Sequence, residues 1–213
     1  MAKLKFGDTG SCPAMYKTQE FIGIPREVKN GVFQKPSENF TFTLPSNATD
    51  IGNQALQYAF ENCTALTSVD LSSLTTISGS NAFYIAFRNC TGLTSVNLSS
   101  LTTILNSATR TFSYAFSGCT ALTSIDLSSL TTIVGSKIFN YAFQDCTSLS
   151  SLSFPALTTE SFGPYRTDQF DYMLFGVSKC TVHFPFAIKS IIEYWSSVQD
   201  GFGGTNTTVL FDL

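Results

Sequence analysis

Apolar residues recur two apart along nearly the whole chain, as Phe42/Leu44, Val69/Leu71, Val96/Leu98, Ile125/Leu127, Leu152/Phe154, Val182/Phe184 and Val209/Phe211. Successive pairs are 27, 27, 29, 27, 30 and 27 residues apart. A period of roughly 20–50 residues marks a solenoid, in which one coil cannot bury its apolar face without a neighbour. Between the pairs the chain repeats aromatic-x-(Tyr/Ile)-Ala-Phe-x-x-Cys-Thr-x-Leu-x-Ser-apolar-x-apolar-x-x-Leu-Thr-Thr-Ile. The clearest copies are 58–77, 85–104 and 114–133, and a fourth decays from Tyr141. In the first copy only Val69-x-Leu71 has strand alternation. Ala59, Phe60 and Cys63 have the spacing of one helical turn facing inward. Each coil therefore reads as a short strand, a turn and a helical return, with the strands stacked in parallel.

The pattern A-F-x-x-C-x-x-L-x-x-V-x-L…L-x-x-I resembles the BspA-type (Treponema-type) leucine-rich repeats. Leu44-Pro45-Ser46…Ile51-Gly52, leading into Ala55, is similar to that family's L-P…I-G…A-F phrase. The resemblance covers about residues 40–185. It implies an α/β solenoid: a right-handed leucine-rich-repeat superhelix with a parallel β-sheet on one face and short helical returns on the other. It also implies a non-enzymatic binding or adhesion module recognising a protein or glycan at a bacterial or virion surface, or an architectural phage or cell-surface spacer. The family's role is not tied to fixed residues, so no site carries over by position. Most copies have Ser-Ser where the family often has Leu-Pro, and the fourth is irregular after Thr159.

The ends depart from the repeat. Residues 1–35 fit none of it and read as an N-terminal segment or cap, ahead of a solenoid over 36–185. A C-terminal cap is expected over 186–213. There Ile188, Ile191, Ile192, Trp195 and Val198 make the apolar stripe of a helix, and 207–213 returns as a strand.

Composition narrows the function classes. Hydrophobic residues make up 43% and charged residues 13%, the balance of a folded chain. A formal charge of −3 without a basic stripe argues against nucleic acid. No window approaches the roughly 18 apolar residues of a membrane span, so no membrane insertion is expected. The first residues lack the apolar stretch of about 7–15 that a secretory signal needs. Placement outside the cell, at its surface or on a virion then requires a removed leader or release by lysis. Oligomeric state is not legible.

Six cysteines invite a disulfide framework. Cys63, Cys90, Cys119 and Cys146 occupy one repeat position, however, so their Cβ atoms point in parallel where a bridge needs convergence. They read as reduced core residues. A ladder does not converge on zinc either, and neither a metal nor a cofactor is expected. Cys12 and Cys180 lie outside it, paired or free.

Candidate chemistry sits on the outward side of the strands and in the edge loops. Strand alternation sends Asp70, Asn97, Asp126, Ser153 and His183 outward as one column. Ser153 and His183 raise a hydrolytic reading, against which stands a solvated column that recurs because the coil recurs. Asp70 and Asp126, two coils or roughly 10 Å apart, could not share a calcium ion unaided. Threonine pairs at 75/76, 102/103, 131/132 and 158/159 suggest either a flat ice- or glycan-contacting array or hydroxyls that satisfy turn backbone. Loops on a rigid scaffold favour contacts, which makes Asn81, Arg110, Lys137, Tyr165, Arg166 and Asp168 candidate binding residues.

Overall fold

A computed structural model describes residues 27–29, 32–34, 38–105, 108–162, 168–198, 202–204 and 207–212. Strands β1 (Glu27–Lys29) and β2 (Val32–Gln34) form an antiparallel hairpin with Lys29 opposite Val32.

The expected pairs do stack. Strands β3 (Phe40–Thr43), β5 (Leu66–Asp70), β7 (Ser95–Asn97) and β9 (Ser124–Asp126) form a parallel sheet, in which Phe42, Val69, Val96 and Ile125 are in register. Further on, β11 (Ser151–Ser153), β12 (Thr181–Pro185) and β13 (Thr208–Asp212) form a second parallel sheet aligning Leu152, Val182 and Val209. The single sheet expected from sequence is thus divided between Asp126 and Ser153.

A further ladder was not legible. β4 (Asp50–Ile51), β6 (Thr76–Ile77), β8 (Thr103–Ile104) and β10 (Thr132–Ile133) pair in parallel, with each Ile buried and the residue before it facing out. A strand of two residues is too short to show alternation.

The return segments correct the sequence reading. They are successions of turns, not helix. Every fourth residue has positive φ: Gln54, Tyr58 and Asn62 in one coil, Asn81, Ile85 and Asn89 in the next, then Arg110, Tyr114 and Gly118, then Lys137, Tyr141 and Asp145. A left-handed residue cannot continue a right-handed helix. Hydrogen bonds follow a two-residue rhythm instead. The N–H groups of Leu56, Tyr58 and Phe60 donate to Ala82, Tyr84 and Ala86 of the next coil, while those of Ala59 and Cys63 donate back to Leu56 and Phe60. Ala59, Phe60 and Cys63 are buried as expected, because one turn of either kind brings them inward.

Inside, the coils stack like on like. Phe60, Phe87, Phe116 and Phe143 lie with ring centroids 5.4, 5.4 and 5.5 Å apart, near parallel. Phe83, Phe112, Phe139 and Phe170 make a second pile at 5.0, 5.4 and 5.5 Å. Aromatic pairs of this kind add about 0.5–1.5 kcal/mol beyond area burial. The cysteine ladder is present and reduced, and Cys180 is also a free thiol. Sγ of Cys90, Cys119 and Cys146 lies 3.0–3.1 Å from the carbonyls of Phe60, Phe87 and Phe116. Burial pushes the Cys146 thiol up to about 12 and Cys119 well above the ordinary range, so both stay protonated and donate. Cys12 lies outside the described residues.

Helix α1 (Lys189–Val198) falls where the apolar stripe predicts. Ile188 and Ile192 are buried, Ile191 packs against the core, and Lys189 pairs with Glu193 at 3.6 Å. The helix is too short to cross a membrane, and among the described residues no helix is long and apolar enough to do so.

Candidate functional site

The sheet-face column assembles but is occupied with structural work. Asp70, Asn97 and Asp126 are in register. Each accepts, through Oδ1, the N–H two residues on, from Ser72, Ser99 and Ser128, at 3.0 Å. These are Asx turns that carry the chain off the strand end. The threonine rows behave likewise. Thr75, Thr102 and Thr131 donate their hydroxyls to the carbonyls of Thr49, Thr75 and Thr102 in the coil before, at 3.0–3.1 Å. Repetition of polar types here follows from the need to close each coil.

His183 is in register with Ser153, but its ring meets a residue that sequence reasoning missed. Nδ1 lies 3.1 Å from Asp212 Oδ2 on the neighbouring strand β13. That pairing joins positions 29 apart, which only the strand register reveals. The His183 side chain is 32% exposed and Asp212 61%, so the pair stands in water without the enclosure that strengthens a catalytic dyad.

The edge-loop candidates gather at the start of the return segments. The Asn81 N–H donates to the carbonyl of Thr109, and the Arg110 N–H donates to that of Ser136. That rung places Asn81, Arg110 and Lys137 in one column, with Arg110 and Lys137 exposed. Asp168 closes the column from the next coil, accepting from the Ser136 hydroxyl and the Lys137 N–H. Tyr165 and Arg166 lie outside the described residues.

Four residues along from Arg110 and Lys137 runs a column of tyrosines that the sequence reading did not single out. Tyr114, Tyr141 and Tyr172 are half-buried and stack nearly parallel with centroids 4.9 and 4.8 Å apart. Tyr58 and Tyr84 extend the column by edge contacts of 5.6 and 6.5 Å. Ile85 holds the equivalent place in its own coil and is buried, so Tyr84 fills the column from one residue earlier. Exposed Phe175 packs edge-on against Tyr141 and Tyr172. Burial raises the Tyr114 hydroxyl, with Tyr141 and Tyr84 adding to it, and keeps it a donor. The signal was the (Tyr/Ile) position in aromatic-x-(Tyr/Ile)-Ala-Phe, hidden because its outward direction depends on the left-handed backbone.

Beside Asp168, Asp171 is pushed up to about 6, first by burial and then by Asp168, with Lys137 opposing. Its folded value exceeds the unfolded 3.8. Its contribution to stability is therefore full below about pH 4 and is lost as pH rises through about 6. Asp171→Asn should raise the melting temperature at pH 7 and leave it unchanged at pH 4. Equal shifts at both values would contradict this.

Among the described residues, no group of three His, Cys, Asp or Glu side chains could hold a metal ion. Residues 84–166 match the BspA type Leucine rich repeat region in 6 copies. No curated protein matches the chain.

Proposed function

From BspA-type leucine-rich repeats over residues 84–166, a type that suggests protein binding or adhesion, we propose that this protein is a non-enzymatic recognition module. It takes hold of a protein or glycan at a bacterial or virion surface through its return face. The coils wind right-handedly, as parallel crossovers nearly always do, and α1 with β13 caps the C-terminal end. The observation that carries the proposal is the Tyr114–Tyr141–Tyr172 stack beside exposed Arg110 and Lys137. Tyr and Arg dominate binding hot spots because they bring large area and donors at low conformational cost. Stacking fixes the tyrosines in advance, so less freedom is lost on contact.

The test is binding to envelope fractions and a glycan array by wild type, Tyr141→Ala and Arg110→Ala. Each variant should lose affinity by about 30-fold, the factor for a 2 kcal/mol hot spot. Asn97→Ala on the sheet face should bind as wild type. Full binding by both return-face variants would end this assignment. A spacer role has its own support, since Asx turns occupy Asp70, Asn97 and Asp126 on the sheet face and the hydroxyls of Thr75, Thr102 and Thr131 bond to backbone of the coil before. It predicts no binding by the wild type at all.

A further inference from the structure

Among the described residues β13 is the last strand of its sheet, and its outer edge is unusually open. Natural edge strands are blunted by proline, lysine, bulges or short length. β13 has five residues, Thr208-Val209-Leu210-Phe211-Asp212, paired to β12 without a register shift. Its single charge is at the end. Val209 and Phe211 are only half-buried, whereas Val182 and Phe184 in β12 are fully buried. Leu210 on the outer face is 43% exposed, and Phe175 and Phe186 are exposed as well.

The backbone says what kind of partner fits. The Thr208 N–H donates to the Cys180 carbonyl at 3.0 Å. Parallel alternation then turns Thr208, Leu210 and Asp212 toward β12 and leaves the N–H and C=O of Val209 and Phe211 facing the open side. Two such edges match when antiparallel. With Leu210 on a twofold axis, Val209 faces Phe211 of the second copy as a hydrogen-bonded pair, using the very groups left open. Thr208 then faces Asp212, hydroxyl to carboxylate, and Leu210 faces Leu210 as the close, non-bonded pair. The two Asp212 carboxylates end up at opposite ends, so no like charges meet. A contact that is its own complement closes after two copies.

We infer that the protein forms a twofold dimer through antiparallel pairing of β13 with β13 of a second copy, centred on Leu210. Sedimentation across a concentration series should show monomer and dimer only. Leu210→Lys sets like charges directly opposite each other and should weaken the dimer at least tenfold while keeping the wild-type melting temperature. In a Cys12→Ser background, oxidised Leu210→Cys should yield a covalent dimer, since non-bonded pairs bring Cβ atoms within bridging reach. Thr208→Cys alone should not cross-link, whereas the Thr208→Cys, Asp212→Cys double variant should. The cross-linking pattern decides the matter if Leu210→Lys fails to fold. A monomer up to about 1 mM, growth beyond the dimer, or cross-linking indifferent to position would overturn the inference.

Discussion

Replacing Phe116 with Ala should cost about 3–5 kcal/mol, the range for deleting a buried phenyl ring. The ring is fully buried. It is stacked between Phe87 and Phe143 at 5.4 and 5.5 Å and touches Phe112 at 6.2 Å. Neighbouring coils cannot collapse into the gap, because their separation is set by backbone hydrogen bonds on either side, Phe87 N–H to Ala115 O and Phe116 N–H to Ala142 O, at 2.8 and 2.9 Å. The Phe116 carbonyl also faces the Cys146 thiol, so distortion there disturbs a buried polar contact. Urea unfolding would measure the loss through the midpoint. A change below about 1 kcal/mol would show that the pile repacks freely.

Gly79→Ala should be comparably damaging for the opposite reason. A Cβ at Gly79 would lie 1.9 Å from the carbonyl carbon of Gly52, 2.1 Å from the Asn53 nitrogen and 2.3 Å from the Gly52 oxygen. All three are backbone atoms of the preceding coil, so no side chain can swing away. The coils would have to part, stretching the bonds from Ser78 N–H to Ile51 O and from Gln54 N–H to Ser80 O. Overpacking usually costs about 1–3 kcal/mol, and backbone against backbone belongs at or above the top of that range. Gly52→Ala is the matched control, since its Cβ would meet nothing within 4 Å. Equal thermal shifts for the two variants would refute the steric account.

The repeat spacing made much of the architecture legible. Val69, Val96 and Ile125 lie in register although their coils span 27 and 29 residues, because the inward alternation of each strand, and not a fixed coil length, sets the rung. What escaped were features set by backbone hand. Ala59, Phe60 and Cys63 face inward in a helical turn and in a left-handed turn alike, so spacing could not distinguish them. The choice matters outside the core, where Tyr58, Tyr114 and Tyr141 owe their direction to positive φ. Asp70, Asn97 and Asp126 do lie in register, but their Asx-turn bonds to Ser72, Ser99 and Ser128 depend on turn geometry that alternation does not encode. Asp212 was missed because its meeting with His183 bridges two strands 29 residues apart.

Three backbone ladders run along this body, and their hydrogen bonds all point down its long axis. Tension applied between its two ends therefore loads the rungs in series. Each winding should peel from the next at a similar modest force and release about 27 residues of slack, spacing copied from the repeat. A molecule anchored at one end and gripped at the other would then stretch in steps, dissipating a sudden pull instead of transmitting it.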